Sequence, residues 1–152
     1  MTSRILVPID LSDPNSWERT LPEAFEQAGQ TGAQVTAMTV VPELFAGLDW
    51  RYAIRGELKG SEDLDMHRMV EEAEKRLHEI VRTYIPKGQK VSTIARHGTI
   101  YDEVLDVAEE IGADQIIMTA HRPNITEYLL GNNADKIVRH AKCSVNVLRG
   151  PS

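Results

Sequence analysis

Short apolar runs alternate with longer segments of helical period along the whole chain. The first run is Arg4-Ile5-Leu6-Val7-Pro8-Ile9. It shows no polar alternation, which predicts a strand buried on both faces. Pro8 has no N–H to give a ladder, so it belongs near the strand's end. Gln34–Val41 is the second run and Pro42 closes it. Lys90–Arg96, Asp114–Thr119 and Ser144–Leu148 are the third, fourth and fifth.

Helical segments fill the intervals. Asp13-Pro14 reads as an N-cap followed by proline in the first turn, and Asn15 with Glu18 offers a rival capping box. This helix runs towards Gly29–Gly32. Pro22 interrupts it and predicts a kink or restart, capped by Thr20 and Glu23. A second helix starts near Ser61–Asp65. Met66, Val70, Ala73, Leu77, Ile80, Val81 and Tyr84 form its apolar stripe. Glu71–Lys75 and Glu72–Arg76 pair at i,i+4 on a solvated face. Pro86 and Gly88 break it. Thr99 with Asp102 predicts the cap of a third helix, with Ile100, Val104, Leu105, Ala108 and Ile111 inward and Gly112 as the stop. Asn132 or Asn133 predicts the cap of a fourth, with Ile137, Val138 and Ala141 inward.

Five strands alternating with four helices predict an α/β fold: an open parallel sheet with helices on both faces. Such sheets take ligands outside the carboxyl ends of their strands, where strand order reverses. With strand 1 in the middle beside strand 4, two loops face each other. One carries Asp10, Leu11 and Ser12. The other runs from Ala120 to the helix start at Gly131-Asn132-Asn133. Free N–H groups and a positive dipole end gather at such a start, so an anion such as phosphate is stabilised there. Residues 42–65, with Phe45, Trp50, Tyr52 and Ile54, make a connection long enough to predict a functional or packing role.

Composition narrows the classes. The 152 residues suit one domain spanning 1–152. A net charge of −6 argues against a general nucleic-acid footprint. The lone Cys143 allows no internal disulfide, suits a reducing compartment and reads as a small buried apolar residue. The N-terminal apolar run is too short for a signal sequence or a membrane span, which leaves the cytoplasm as the expected location and no membrane partner.

Familiar chemical signatures are missing from the sequence. There is no GxxxxGK[ST], no GxGxxG after the first strand and no GxSxG elbow. The five histidines lack metal-type spacing. His121 is the only one in the suspected site, where positioning is favoured over acid–base work. Asp10 can accept from a ribose hydroxyl or cap the next helix. Ser12 and Asp13 are already available as caps, which favours ligand contact. Arg122 suits phosphate pairing. Gly131 answers a need for positive φ or for close approach of a ligand. Asn132 and Asn133 can cap the helix and donate to phosphate at once.

In order and spacing, these segments resemble the universal stress protein family. The resemblance rests on Ile5-Leu6-Val7-Pro8-Ile9-Asp10, on His97-Gly98 followed by Asp102–Ala108, on Gly112–Met118 and on Gly131–Ala141. His121–Gly131 is similar to the bacterial F/G subgroup. The resemblance implies a Rossmann-like sheet of order 3-2-1-4-5 that binds an adenine nucleotide (ATP, ADP or AMP), with Mg2+ admissible alongside ATP. It also implies a homodimer or dimer of dimers through the last strand, and a role in stress survival. By position, Pro8, Ile9 and Asp10 would border adenine and ribose, and Val40 would meet the base through its backbone. Thr119, His121, Arg122, Gly131, Asn132 and Asn133 would surround the phosphates. The family pattern G-x2-G-x9-G-[ST] is altered: Thr119 and Arg122 stand at its first glycines, eight residues separate Arg122 from Gly131, and Asn132 replaces Ser/Thr. The expected function is nucleotide-linked regulation. A slow ATPase or phosphoryl/adenylyl transferase built on Asp10 and His121 is a second reading, and an interaction module with an empty site a third.

Overall fold

The computed structural model of the chain describes residues 3–42, 66–119 and 128–149, with the backbone alone for 128–132. The described elements are β1 Arg4–Ile9, α1 Asn15–Glu18, α2 Thr20–Thr31, β2 Gln34–Pro42, α3 Met66–Arg82, β3 Val91–Gly98, α4 Ile100–Ile111, β4 Gln115–Thr119, α5 Tyr128–His140 and β5 Ser144–Leu148. The strands form one parallel sheet of order β3-β2-β1-β4-β5. This is the expected order, with strand 1 in the middle.

Alternation along each strand divides the core into two layers. Ile5, Val7 and Ile9 of β1 pack with Val35, Ala37 and Val41 of β2 and Ile117 of β4 beneath α2 and α3. Leu6, Met38, Val40, Ile116 and Met118 face the other way, onto α4 and α5. Helices on both faces explain why these strands carry no polar side. On α3 the buried set is Met69, Ala73, Leu77, Ile80 and Val81. Met66, Val70 and Tyr84 lie at its margin.

Several local expectations are corrected. The first helix restarts at Thr20, after Arg19, and not at Pro22. Thr20 does not cap this restart; its hydroxyl donates back to the Ser16 carbonyl at 2.7 Å. Pro22 falls in the first turn of α2, where its missing N–H would have no helical partner. Asn15 lies inside α1, so the cap belongs to Asp13, whose Oδ1 accepts the Asn15 N–H at 3.1 Å. Helix α5 begins at Tyr128, upstream of the expected start, so neither Asn132 nor Asn133 caps it. Val138 is 52% exposed while Ile137 is 1% exposed. Neighbouring helical residues lie about 100° apart, and the stripe through Ala134, Ile137 and Ala141 leaves Val138 outside. The aromatic connection and the helix start at Ser61–Asp65 lie outside the described residues.

Among the described residues no helix is long and apolar enough to cross a membrane. Cys143 sits half-buried at the edge of the α4–α5 layer. Burial, and then the nearby Asp114 charge, push its thiol pKa up, so it packs as a weakly acidic thiol.

Leu77 is fully buried between α3 and the sheet. Leu77→Ala should lower the unfolding free energy by about 2–5 kcal/mol, through lost burial plus a residual cavity. Urea denaturation checks this; a loss under about 1 kcal/mol would contradict the packing.

Candidate functional site

Hydrogen-bond parity in β1 ends the ladder to β4 near the centre of the sheet. The Ser3 carbonyl accepts from Gln34 N at 2.8 Å, so the odd-numbered residues turn their backbone groups towards β2. The Arg4 N–H donates to Asp114 Oδ2 at 2.8 Å, and the Arg4 carbonyl accepts from Asp114 N at 2.8 Å. The even-numbered residues therefore face β4. Pro8 is one of these, and it has no N–H to give. The ladder to β2 runs from Arg4 through Ile9, while the ladder to β4 stops at Leu6↔Ile116. Beyond Leu6 the β1–β4 pairing ends, and a crevice lies over the carboxyl ends of β1, β2 and β4 at the reversal of strand order, where open α/β sheets bind ligands.

A polar knot fixes the loop after β1. One Ser16 hydroxyl accepts from Asp10 N at 2.9 Å and donates to the Asp10 carbonyl at 3.1 Å. Asp10 Oδ1 accepts from Ser12 N at 2.9 Å and from Ser12 Oγ at 2.6 Å. Asp10 thus orders its own turn at the mouth of the crevice.

A second polar contact fixes the opposite wall. Thr99 holds the N-cap position of α4, but its hydroxyl makes no cap bond. Instead Asn133 Oδ1, from α5, accepts the Tyr101 N–H at 3.0 Å. One helix therefore supplies the cap of another. Lys136 Nζ stands 4.5 Å above the Tyr101 ring and ties the same two helices. Gly98 leads into α4 with φ +148°, and a Cβ there would meet Glu103 Oε2 at 2.8 Å. Arg96 bridges β3 to α4 by pairing with Glu110 at 2.6 Å and Glu103 at 3.9 Å. Desolvation and then Asp106 raise the Glu103 carboxyl pKa. The hydrogen bond from Arg96 lowers that of Glu110.

The crevice brings together Pro8, Ile9, Asp10, Val40, Thr119 and Asn133 of the expected residues. Sequence reasoning missed its apolar floor, made by Met38, Met118, Val104 and Ile137. Met38 shares a strand face with Val40, and Ile137 shares a helix face with Asn133, so the two periodicities carried that signal. Gly131 and Asn132 lie in the second turn of α5, four and five residues into the helix. A left-handed backbone is not needed inside a helix, which leaves close approach as the reason for a glycine there. His121 and Arg122 lie outside the described residues. The cavity volume is ≈ 30 Å³, and the cavity is partly open to solvent. Mg2+ arriving with ATP would find Asp10 at the mouth, already turned to Ser12, and would take further ligands from phosphate and water.

Asn133→Ala should remove the cap of α4 and cost about 0.5–2 kcal/mol of stability, while Asn133→Asp, which keeps an acceptor, should recover most of it. Chemical denaturation of both variants checks this. Equal loss in the two would mean that the acceptor is not what matters.

The sequence profile described as the universal stress protein family matches residues 1–149. Universal stress protein G of Salmonella typhimurium is 30% identical over 149 residues, covering 98% of this chain and 100% of its own. Among solved structures, hypothetical protein MJ0577 superposes with a TM-score of 0.74 at 23% identity, covering 100% of this chain and 99% of that one. A universal stress protein in complex with cAMP gives a TM-score of 0.59 at 15% identity, covering 99% and 98%. These two likenesses speak for the fold. With its parallel order β3-β2-β1-β4-β5 and a profile match spanning nearly every residue, the chain belongs to the universal stress protein family.

Proposed function

We propose that this stress protein binds an adenine nucleotide in the crevice between β1 and β4 and acts through the stability of the liganded form. The observation that carries the reading is the crevice itself. It lies at the reversal of strand order, has an apolar floor and has Asp10 at its rim. An apolar slot suits a purine face, and a carboxylate at its mouth suits a ribose hydroxyl. Pro8, Ile9 and Val40 border the base in this reading. Thr119, His121, Arg122, Gly131, Asn132 and Asn133 form the phosphate side. Helix α5 starts at Tyr128, so its unbonded N–H groups are those of residues 128–130. These take the anion-binding role first expected of the Asn132–Asn133 turn. The universal stress protein solved with cAMP supports the choice of an adenine nucleotide.

Regulation follows from ligand-linked stability. A ligand that binds only the folded, loop-ordered form stabilises it with the logarithm of its excess over Kd. The chain then works in the cytoplasm as a homodimer or dimer of dimers, using the β5 edge, which among the described residues pairs only with β4.

Thermal unfolding with ATP, ADP, AMP and cAMP tests the reading. At a hundredfold excess over Kd, the matching nucleotide should add about 2.7 kcal/mol, raising Tm by about 5–10 °C. No shift with any of the four would sink it, and nucleotide turnover in the same samples would make the chain an enzyme. Gly131→Val should crowd the phosphates and weaken binding at least tenfold by calorimetry. Unchanged affinity would move the phosphates elsewhere.

A further inference from the structure

A second cavity, of ≈ 250 Å³, lies at the amino ends of β4 and β5, the opposite end of the sheet from the crevice. The parallel sheet returns α4 and α5 to this end, so both helices finish beside it, at Ile111 and His140. Ala108, Gly112, Ala113 and Ala141 stand where the two helix ends meet, and residues this small leave the space unfilled. Leu105 and Cys143 complete an apolar floor. The rim is acidic. Asp106 and Glu109 lie three residues apart on α4 and share one face. The carboxyl ends of the two helices add the negative poles of their dipoles. Among the lining residues Lys142 carries the one fixed positive charge, and His140 adds an imidazole. Lys142 shows what the rim takes: its Nζ stands 2.8 Å from Glu109 Oε2. Both partners are exposed, so the pair is weakly held and readily exchanged. Asp106 has no ion-pair partner among the described residues.

We propose that this cavity binds a small organic ammonium ion, an alkyl- or arylamine. Its apolar body fills the hollow, and its charge replaces that of Lys142 on Glu109, with Asp106 as the second carboxylate. An apolar hollow with a few placed polar groups is the usual make-up of a small-molecule site. Lys142 acts as a built-in competitor that holds the rim until an amine displaces it. The site is independent of the nucleotide reading, because no residue lines both cavities.

The test is an amide NMR titration of the full chain with phenethylamine. Phenethyl alcohol and hydrocinnamate serve as neutral and anionic counterparts carrying the same ring. The amine should give saturable shifts at Ala108, Gly112, Ala113 and Ala141, and the counterparts none of comparable size. Glu109→Gln and Lys142→Ala change exposed side chains, so both variants keep the fold. Glu109→Gln should weaken amine binding about tenfold, through loss of a charged hydrogen bond. Lys142→Ala should tighten it about threefold, through loss of the competing ammonium. Equal shifts with the alcohol would reduce the site to an apolar hollow and overturn the proposal. Unchanged affinity in Glu109→Gln would do the same, as would shifts gathered at Ile9 and Asp10 in the crevice. No saturable shift in either the wild type or Lys142→Ala at millimolar amine would remove the site altogether.

Discussion

A parallel sheet with helices on both faces has little free surface, because its strands are satisfied on both edges and covered above and below. A ligand enters where two neighbouring strands stop bonding. Here that place is set by the parity of β1, which turns its even-numbered residues towards β4 and puts a residue without an N–H at position 8. The crevice lies beyond the last paired residue, Leu6. Its floor is the α4–α5 layer of the core, already fixed by Leu6, Met38, Val104 and Ile137. The site is thus a continuation of the core past the point where the ladder ends.

Two polar contacts keep the mouth in shape. On the β1 side, Ser16 and Ser12 fold the chain around Asp10, so the carboxylate at the rim is held by its own turn. On the opposite side, Asn133 joins α5 to the first turn of α4. The two helices that line the crevice are thereby coupled. A ligand that shifts α5 acts on the α4 cap as well, a direct physical route from occupancy to stability.

Sequence pattern revealed the layers well and the caps poorly. The runs at Ile5–Ile9, Val35–Val41 and Ile116–Met118 carry their own evidence of burial on both faces, and the alternation with helices orders them. Asp13 was legible as a cap because its partner lies two residues away. Asn133 was misread because its partner, Tyr101, is 32 residues away in sequence. Capping rules search only the local turn, and an asparagine near a glycine fits them too easily. Pro22 was misread for a related reason: a proline in an apolar pattern predicts a break, yet the break fell two residues earlier and left it in a tolerant first turn. For the site, the loop residues were found from topology. The apolar floor was passed over because Met38 and Val104 look like any other core positions until strand order makes them neighbours.

The most direct measurement is an NMR titration of amide resonances with AMP. The account predicts saturable shifts concentrated at Ile9, Asp10, Val40, Met118 and Thr119, together with the side-chain amide of Asn133. Shifts confined to the β5 edge or the outer face of α3, or none at millimolar nucleotide, would contradict it.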